Sequence, residues 1–288
     1  MGLSSQSISQ QAESRQLSRR LLTALVGVPL VIGAIWVGLP WLTILVGLAA
    51  LLALRELYGM AFGPRLHPLM SLGALWTGLF IVGGHFTDDW YEYTIHLILG
   101  AGLVLALPWL TVIAVRRSWP SWGYGIAAPI YVGFLLAHSL ALRGLDAEAD
   151  YGRNWLLFAL VVTFATDTGA FAVGKVAGRH RMAPSISPGK TWEGAFGGFV
   201  SAICVALILG ALLQLTVPLL QAALVGAAVG TLAQIGDLVE SRIKRATGFK
   251  DAGGILPGHG GLLDRLDSIV FTVPVVYYLV ALVFVPSS

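Results

Sequence analysis

The stretch LVGAAVGTLAQIGDLVESRIKR, residues 224–245, opens as a membrane segment and closes as a charged one. Within it Gly226, Gly230, Ala233, Asp237, Ser241 and Lys244 recur at intervals of four and three, which places them along one face of an α-helix. Small residues occupy the deep part of that face and polar residues its exit. The Gly226 and Gly230 pair has the small-xxx-small spacing that lets membrane helices approach closely. This predicts a face packed in a bundle core that carries Asp237 into a protein-lined cavity. A glycine-rich packing helix with an acidic end would explain the glycines, but not the continuation of the stripe through Asp237 and Ser241.

The rest of the chain sets this segment in a membrane protein. Its 288 residues are 56% hydrophobic and 11% charged, with 35 glycines and nine tryptophans, and the mean hydropathy is +0.79. Apolar runs fall at about 21–38, 40–54, 68–86, 93–115, 123–142, 154–174, 194–214, 215–236 and 267–285. Each approaches the roughly 20 residues a helix needs to cross a bilayer. The expected fold class is therefore all-α, a polytopic bundle of about nine transmembrane helices. The short second run and the turn near Pro218 also leave eight or ten open. Residues 1–20 read as an N-terminal tail, 21–150 as N-terminal membrane helices, and 151–288 as C-terminal membrane helices carrying the site. Arg15, Arg19 and Arg20 precede the first run as in a signal peptide, yet no small-x-small cleavage site comes before Trp41, so that run is read as a retained helix. The lone Cys204 excludes a disulfide framework.

Every basic residue except Arg143 and Arg153 falls on one side of a nine-span arrangement. The positive-inside rule makes that side the cytoplasm and the topology N-in, C-out. The net charge of +3 is then a topological asymmetry, and without a basic stripe interleaved with aromatics no nucleic-acid partner is expected.

Seven of the 15 acids, namely Asp167, Glu193, Asp237, Glu240, Asp251, Asp264 and Asp267, gather at the cytoplasmic helix ends or in the loops joining the last four helices. Ionisable groups near membrane depth are costly and mark function by default. In GHGGLLDRLDS, residues 258–268, Asp264 and Asp267 are three apart and share a helix face, with Arg265 expected to point away. Capping would require only one of the two acids. Gly260 and Gly261 are expected to leave backbone N–H groups open to an anion. With Asp237, these acids form a three-carboxylate set suited to one or two hard cations such as Mg²⁺, which take oxygen ligands and bridge phosphates. Lys244, Arg245 and Lys250 in the following loop suit a polyphosphate. The sixth run contributes Asp167 among Thr163, Thr166 and Thr168, hydroxyls that also readily bond back to their own helix. Ser187, Lys190 and Thr191 follow in the next loop as a second half-site. No Walker A sequence or zinc-type Cys/His spacing competes.

The run SRIKRATGFKDAGGILPGHGGLLDRLD, residues 241–267, resembles the signature of phosphatidate cytidylyltransferases, and SPGKTWEG, 187–194, is similar to that family's second motif. The resemblance covers the chain from about Asp167 onward; the first five helices match only in being apolar. It implies an enzyme of a bacterial cytoplasmic membrane that condenses CTP with phosphatidic acid into CDP-diacylglycerol and pyrophosphate at the cytoplasmic face. It further implies Mg²⁺, with K⁺ as a second cation, near Asp237, Asp264 and Asp267, and an enzyme that often forms a homodimer among membrane lipids. A phosphate oxygen of phosphatidate would attack the α-phosphorus of CTP in line. Lys244, Arg245 and Lys250 would hold phosphates, Ser241 would orient a phosphate or a metal-bound water, and His259 would donate to the leaving group. Gly189 departs from the family, since many members carry a basic residue there.

A lipid kinase using CTP as phosphoryl donor could employ a similar site. An ion-coupled transporter would also place acids in glycine-rich helices, but it would usually show internal repeats and polar groups near the midplane. Here no repeat is visible and the polar groups collect at one end.

Overall fold

The computed structural model describes residues 22–63, 68–86, 94–104, 125–145, 150–215, 217–255 and 260–284. These residues are helical apart from connecting turns and one short hairpin. The helices are α1 (Leu22–Val37), α2 (Leu39–Phe62), α3 (Pro68–His85), α4 (Thr94–Val104), α5 (Gly125–Gly144), α6 (Tyr151–Ala177), α7 (Trp192–Leu212) and α8 (Leu219–Ala246). The last apolar stretch is split into α9 (Leu263–Leu266) and α10 (Ile269–Leu279), with a π-turn over Val280–Phe284 continuing it. Each of the nine expected runs thus carries a helix among the described residues. Six stretches are long and apolar enough to cross a membrane, the last being Leu263–Val283. The N-terminal tail, most of the fourth run beyond Val104, and the loops holding Asp88, Asp89, Glu92, Arg116 and Arg117 lie outside the described residues.

Two elements differ from expectation. The short second run becomes a 24-residue helix, because it continues through Arg55 and Glu56, and Glu56 is buried by contacts from the far end of the chain. The connection between α6 and α7 is an antiparallel hairpin, β1 (Arg181–Ala183) and β2 (Ser187–Thr191), pairing Arg181 with Thr191 and Ala183 with Ser187. Thr191 then starts α7 as its N-cap, its hydroxyl accepting from Gly194 N at 3.2 Å.

Close backbone approach organises the half of the bundle that bears the cavity. A Cβ built on Gly194 would lie 2.8 Å from the carbonyl oxygen of Ala170, and one on Gly198 2.8 Å from that of Thr166, so α6 and α7 meet nearly backbone to backbone. On α8, the same operation at Gly226 and Gly230 brings the new atom to 2.5 Å and 2.7 Å from the Cβ atoms of Ala206 and Ala202 on α7. The stripe expected to pack therefore packs, and Ala233 continues it as a fully buried residue. Tyr58, Phe80, Trp155 and Phe158 fill the remaining core. Some buried polar groups pair across helices, as where the Thr163 and Thr272 hydroxyls lie 2.9 Å apart. Large apolar side chains such as Leu25, Val161 and Ile208 face outward, as a lipid environment requires.

Candidate active site

The C-terminal ends of α6 and α8, the start of α7, the hairpin and α9 surround one cavity of about 1130 Å³. Alternation of chain direction brings these four helix ends to the same end of the bundle. Asp167, Lys175, Lys190, Asp237, Glu240, Lys244, Asp251, Asp264, Arg265 and Asp267 all line it. The stripe on α8 delivers Asp237 here, as its spacing implied.

The charges are organised rather than scattered. Lys190 Nζ, from β2, lies 2.7 Å from Asp237 Oδ2 on α8. Lys244 Nζ lies 2.7 Å from both Glu240 Oε2, one turn back on its own helix, and Asp264 Oδ1 on α9. The Lys244 and Asp264 side chains are only 13% and 11% exposed, so this bridge is shielded from water. Carboxylate oxygens of Asp237, Glu240 and Asp267 all fall within 4.8 Å of one another. Ser241 Oγ donates to Asp237 Oδ1 at 3.3 Å and so fixes that carboxylate from the side.

The turn before α9 is shaped around Asp264. Gly260 has φ +83°, a left-handed conformation that favours glycine, and a Cβ there would stand 3.1 Å from Asp264 Oδ2. Gly261 N donates to that oxygen at 2.8 Å, and Ala252 N approaches the same carboxylate at 3.2 Å. Leu262 N and Leu263 N are taken by Glu56. Open N–H groups were expected at Gly260 and Gly261; that of Gly261 is taken by Asp264, and the next two amides, of Leu262 and Leu263, by Glu56.

Of the residues singled out from the sequence, the cavity gathers Asp167, Ser187, Lys190, Thr191, Asp237, Lys244, Asp264 and Asp267. Ser241 touches it through Asp237. Arg245 turns toward the carbonyls of Ile186 and Phe249, and Lys250 is exposed; neither is among the lining residues. His259 lies outside the described residues. The threonines around Asp167 bond back to their own helix, with Thr163, Thr166 and Thr168 donating to Ala159, Val162 and Phe164 carbonyls.

Two lining residues stand differently from expectation. Arg265, expected to point away from Asp264 and Asp267, lines the same cavity, because α9 is a four-residue helix that ends at Leu266 and does not hold the facing of a long one. Glu240 is 1% exposed and joins the acidic trio in the geometric place expected for Asp264. Its spacing of three from Asp237 on one helix was the available signal. Glu193 acts on the hairpin's flank instead: its carboxylate accepts from Arg179 N and His180 N at 3.1 and 3.2 Å and faces the His180 ring.

The family model described as "Cytidylyltransferase family" matches residues 18–283 of this chain. The chain is 34% identical over 273 residues to a phosphatidate cytidylyltransferase of Bacillus subtilis, covering 92% of this chain and 98% of the relative. It is 33% identical over 259 residues to one of Staphylococcus epidermidis, covering 88% and 95%. It is also 35% identical over 185 residues to one of Brucella suis, covering 63% and 62%.

Proposed function

The chain belongs to the cytidylyltransferase family, and from that premise we propose that it is a phosphatidate cytidylyltransferase, joining CTP and phosphatidic acid into CDP-diacylglycerol and pyrophosphate. The observation that carries the reading is one cavity in which Asp237, Glu240 and Asp267 converge within 4.8 Å while Lys175, Lys190, Lys244 and Arg265 line the same space. Three clustered carboxylates repel one another and would repel a triphosphate; the cationic side chains offset part of that, and a hard cation suits the remainder.

The donor set fits such a cation. All three ligands are oxygens at a spacing one ion can span, and among the described residues no cysteine or histidine joins the cluster. Asp237, Glu240 and Asp267 would hold Mg²⁺, with Asp264 adjacent through Lys244, and K⁺ is the proposed second cation. When bound, the divalent ion supplies charge neutralisation for the triphosphate and its leaving group.

In the reaction, an ionised phosphate oxygen of phosphatidate forms a bond to the α-phosphorus of CTP, and the bond from that phosphorus to the β-bridging oxygen breaks, releasing pyrophosphate. Both the nucleophile and the leaving group are anions at neutral pH, so the chain need not supply a general base. Its task is placement and charge stabilisation. Lys190, Arg265 and Lys175 would bind phosphate oxygens. Lys244, clasped by Glu240 and Asp264, would keep α8 and α9 at a fixed separation, and Ser241 would hold the Asp237 carboxylate. Asp167, Ser187 and Thr191 would border the substrate from the α6 and hairpin side. Arg245, Lys250 and His259 are proposed as outer phosphate contacts along the loop.

The distribution of basic residues supports nine spans, N-in and C-out, in a bacterial cytoplasmic membrane with the cavity facing the cytoplasm. The deciding experiment supplies purified protein with phosphatidic acid, Mg²⁺ and CTP labelled at the α- or γ-phosphorus. Cytidylyl transfer carries the α label into the organic phase and releases the γ label as pyrophosphate. Recovery of the γ label in lipid, with α label left in CDP, would overturn the assignment in favour of a kinase.

A further inference from the structure

Asp237, Glu240 and Asp264 on α8 and α9 are held from one side by Lys190 and Lys244, but the segment carrying Asp264 and Asp267 also rests on a group from the N-terminal part of the chain. Glu56, near the end of α2, is 6% exposed. Its Oε1 accepts from Leu262 N at 3.1 Å and its Oε2 from Leu263 N at 2.8 Å, across 206 and 207 residues. A Cβ on Gly253 would lie 2.5 Å from Oε1, and one on Gly261 2.9 Å from Oε2. Glycine on both sides therefore lets the backbone close around this carboxylate. The next amide back, Gly261 N, donates to Asp264. Three consecutive N–H groups are thus divided between two carboxylates, one arriving from α2 and one facing the cavity.

We propose that Glu56 is a positioning residue for the carboxylate site, fixing through the Leu262 and Leu263 amides the turn from which Asp264 and Asp267 enter the cavity. The two oxygens meet two diverging N–H donors, so both position and orientation of the turn are set. A neutral amide cannot do the same, because its NH₂ would oppose one of the donors. Glu56 does not line the cavity and is not assigned a contact with substrate. It gives the N-terminal helices a specific part in a site whose other residues come from Asp167 onward.

The inference rests on the cytidylyltransferase reading, and its test separates the two. Full-length wild type, Glu56→Gln, Glu56→Asp and Gly253→Ala are purified in detergent and assayed with α-labelled CTP over a range of Mg²⁺ concentrations. Hydrogen exchange of residues 260–268 is followed without substrate. The expected result is a Glu56→Gln protein that is monodisperse yet has kcat at least tenfold lower. Its Mg²⁺ requirement rises severalfold, its KM for phosphatidate is unchanged, and residues 262 and 263 exchange faster. Glu56→Asp should recover part of kcat, and Gly253→Ala, which crowds the carboxylate, should shift the Mg²⁺ requirement in the same direction. Wild-type kcat, Mg²⁺ requirement and exchange in Glu56→Gln would overturn the proposal. So would activity that falls only in proportion to folded protein, or failure of Glu56→Gln and Gly253→Ala alike to fold, since either assigns Glu56 to the scaffold alone. A wild type that transfers no α label would instead sink the reading beneath it.

Discussion

Lys190 Nζ lies 2.7 Å from Asp237 Oδ2, which ties the β-hairpin to α8 across the cavity. The two side chains are 22% and 34% exposed, while the Lys190 Nζ atom itself is covered and makes no hydrogen bond of regular geometry, so the contact is a close ion pair of modest worth to stability. Its lysine can be drawn to an incoming phosphate at little cost. Lys190→Gln should therefore leave the melting temperature nearly unchanged while lowering kcat/KM for CTP by about tenfold to a hundredfold, roughly 1.4–2.7 kcal/mol. Lys250→Gln, on an exposed residue off the cavity wall, should cost less than about threefold. Steady-state kinetics on both variants checks this; equal losses would remove the special role of Lys190.

The acids should divide into two kinds. Asp264→Asn strips a shielded lysine of one partner and weakens the acceptor for Gly261 and Ala252, so it should destabilise the protein by about 1–3 kcal/mol as well as reduce turnover. Asp267→Asn relieves repulsion among close carboxylates, so it should leave the metal-free protein as stable or more so while turnover falls at least about a hundredfold, roughly 2.7 kcal/mol. Thermal melts in detergent beside activity measurements separate the two. If both variants melt alike, the division fails.

Binding of a cation to the Asp237, Glu240 and Asp267 cluster should be visible without substrate. Mg²⁺ should raise the melting temperature of wild type by mass action, and EDTA should remove both that shift and the activity. The same addition should move Glu240→Gln or Asp267→Asn much less. An unchanged wild-type melt across millimolar Mg²⁺ would count against the cluster as the metal site.

Packing can be tested away from the chemistry. Gly226→Ala places a methyl 2.5 Å from the Cβ of Ala206, a separation that α7 and α8 must widen to accept. The cost should be about 1–3 kcal/mol, the usual range for overpacking. A lowered melting temperature is expected, and a larger residue such as leucine should be worse. An unchanged melt would mean that α8 does not pack there.

What could be read in advance follows from the range of each interaction. The stripe from Gly226 to Lys244 was legible because it depends only on helical repeat. The gathering of acids was legible because charge near a membrane is costly wherever the chain puts it. Arg265 was misjudged because facing was extrapolated along a helix that breaks after Leu266, and a four-residue helix gives no periodicity to detect. The hairpin escaped notice because Pro184, Pro188 and Gly189 read as loop, while its strands are three and five residues long. Glu56 was illegible for a different reason: nothing local distinguishes an acid at the end of an apolar run from an interfacial one, and its partners lie more than 200 residues away.

The seam between α6 and α7 bears on how the molecule can move. Where Gly194 and Gly198 press against the Ala170 and Thr166 carbonyls, backbone meets backbone, and beside them only the short Val173 and Ser201 side chains, set against Gly197 and Gly169, fill the seam, so little rotamer exchange is open that would let one helix swivel on the other. The pair should behave as a single stiff beam, with the base of the hairpin carried at its end. Any breathing that admits a two-tailed lipid must then hinge at the cavity's other walls, and amides around 166–174 and 194–201 should lose exchange protection together or not at all.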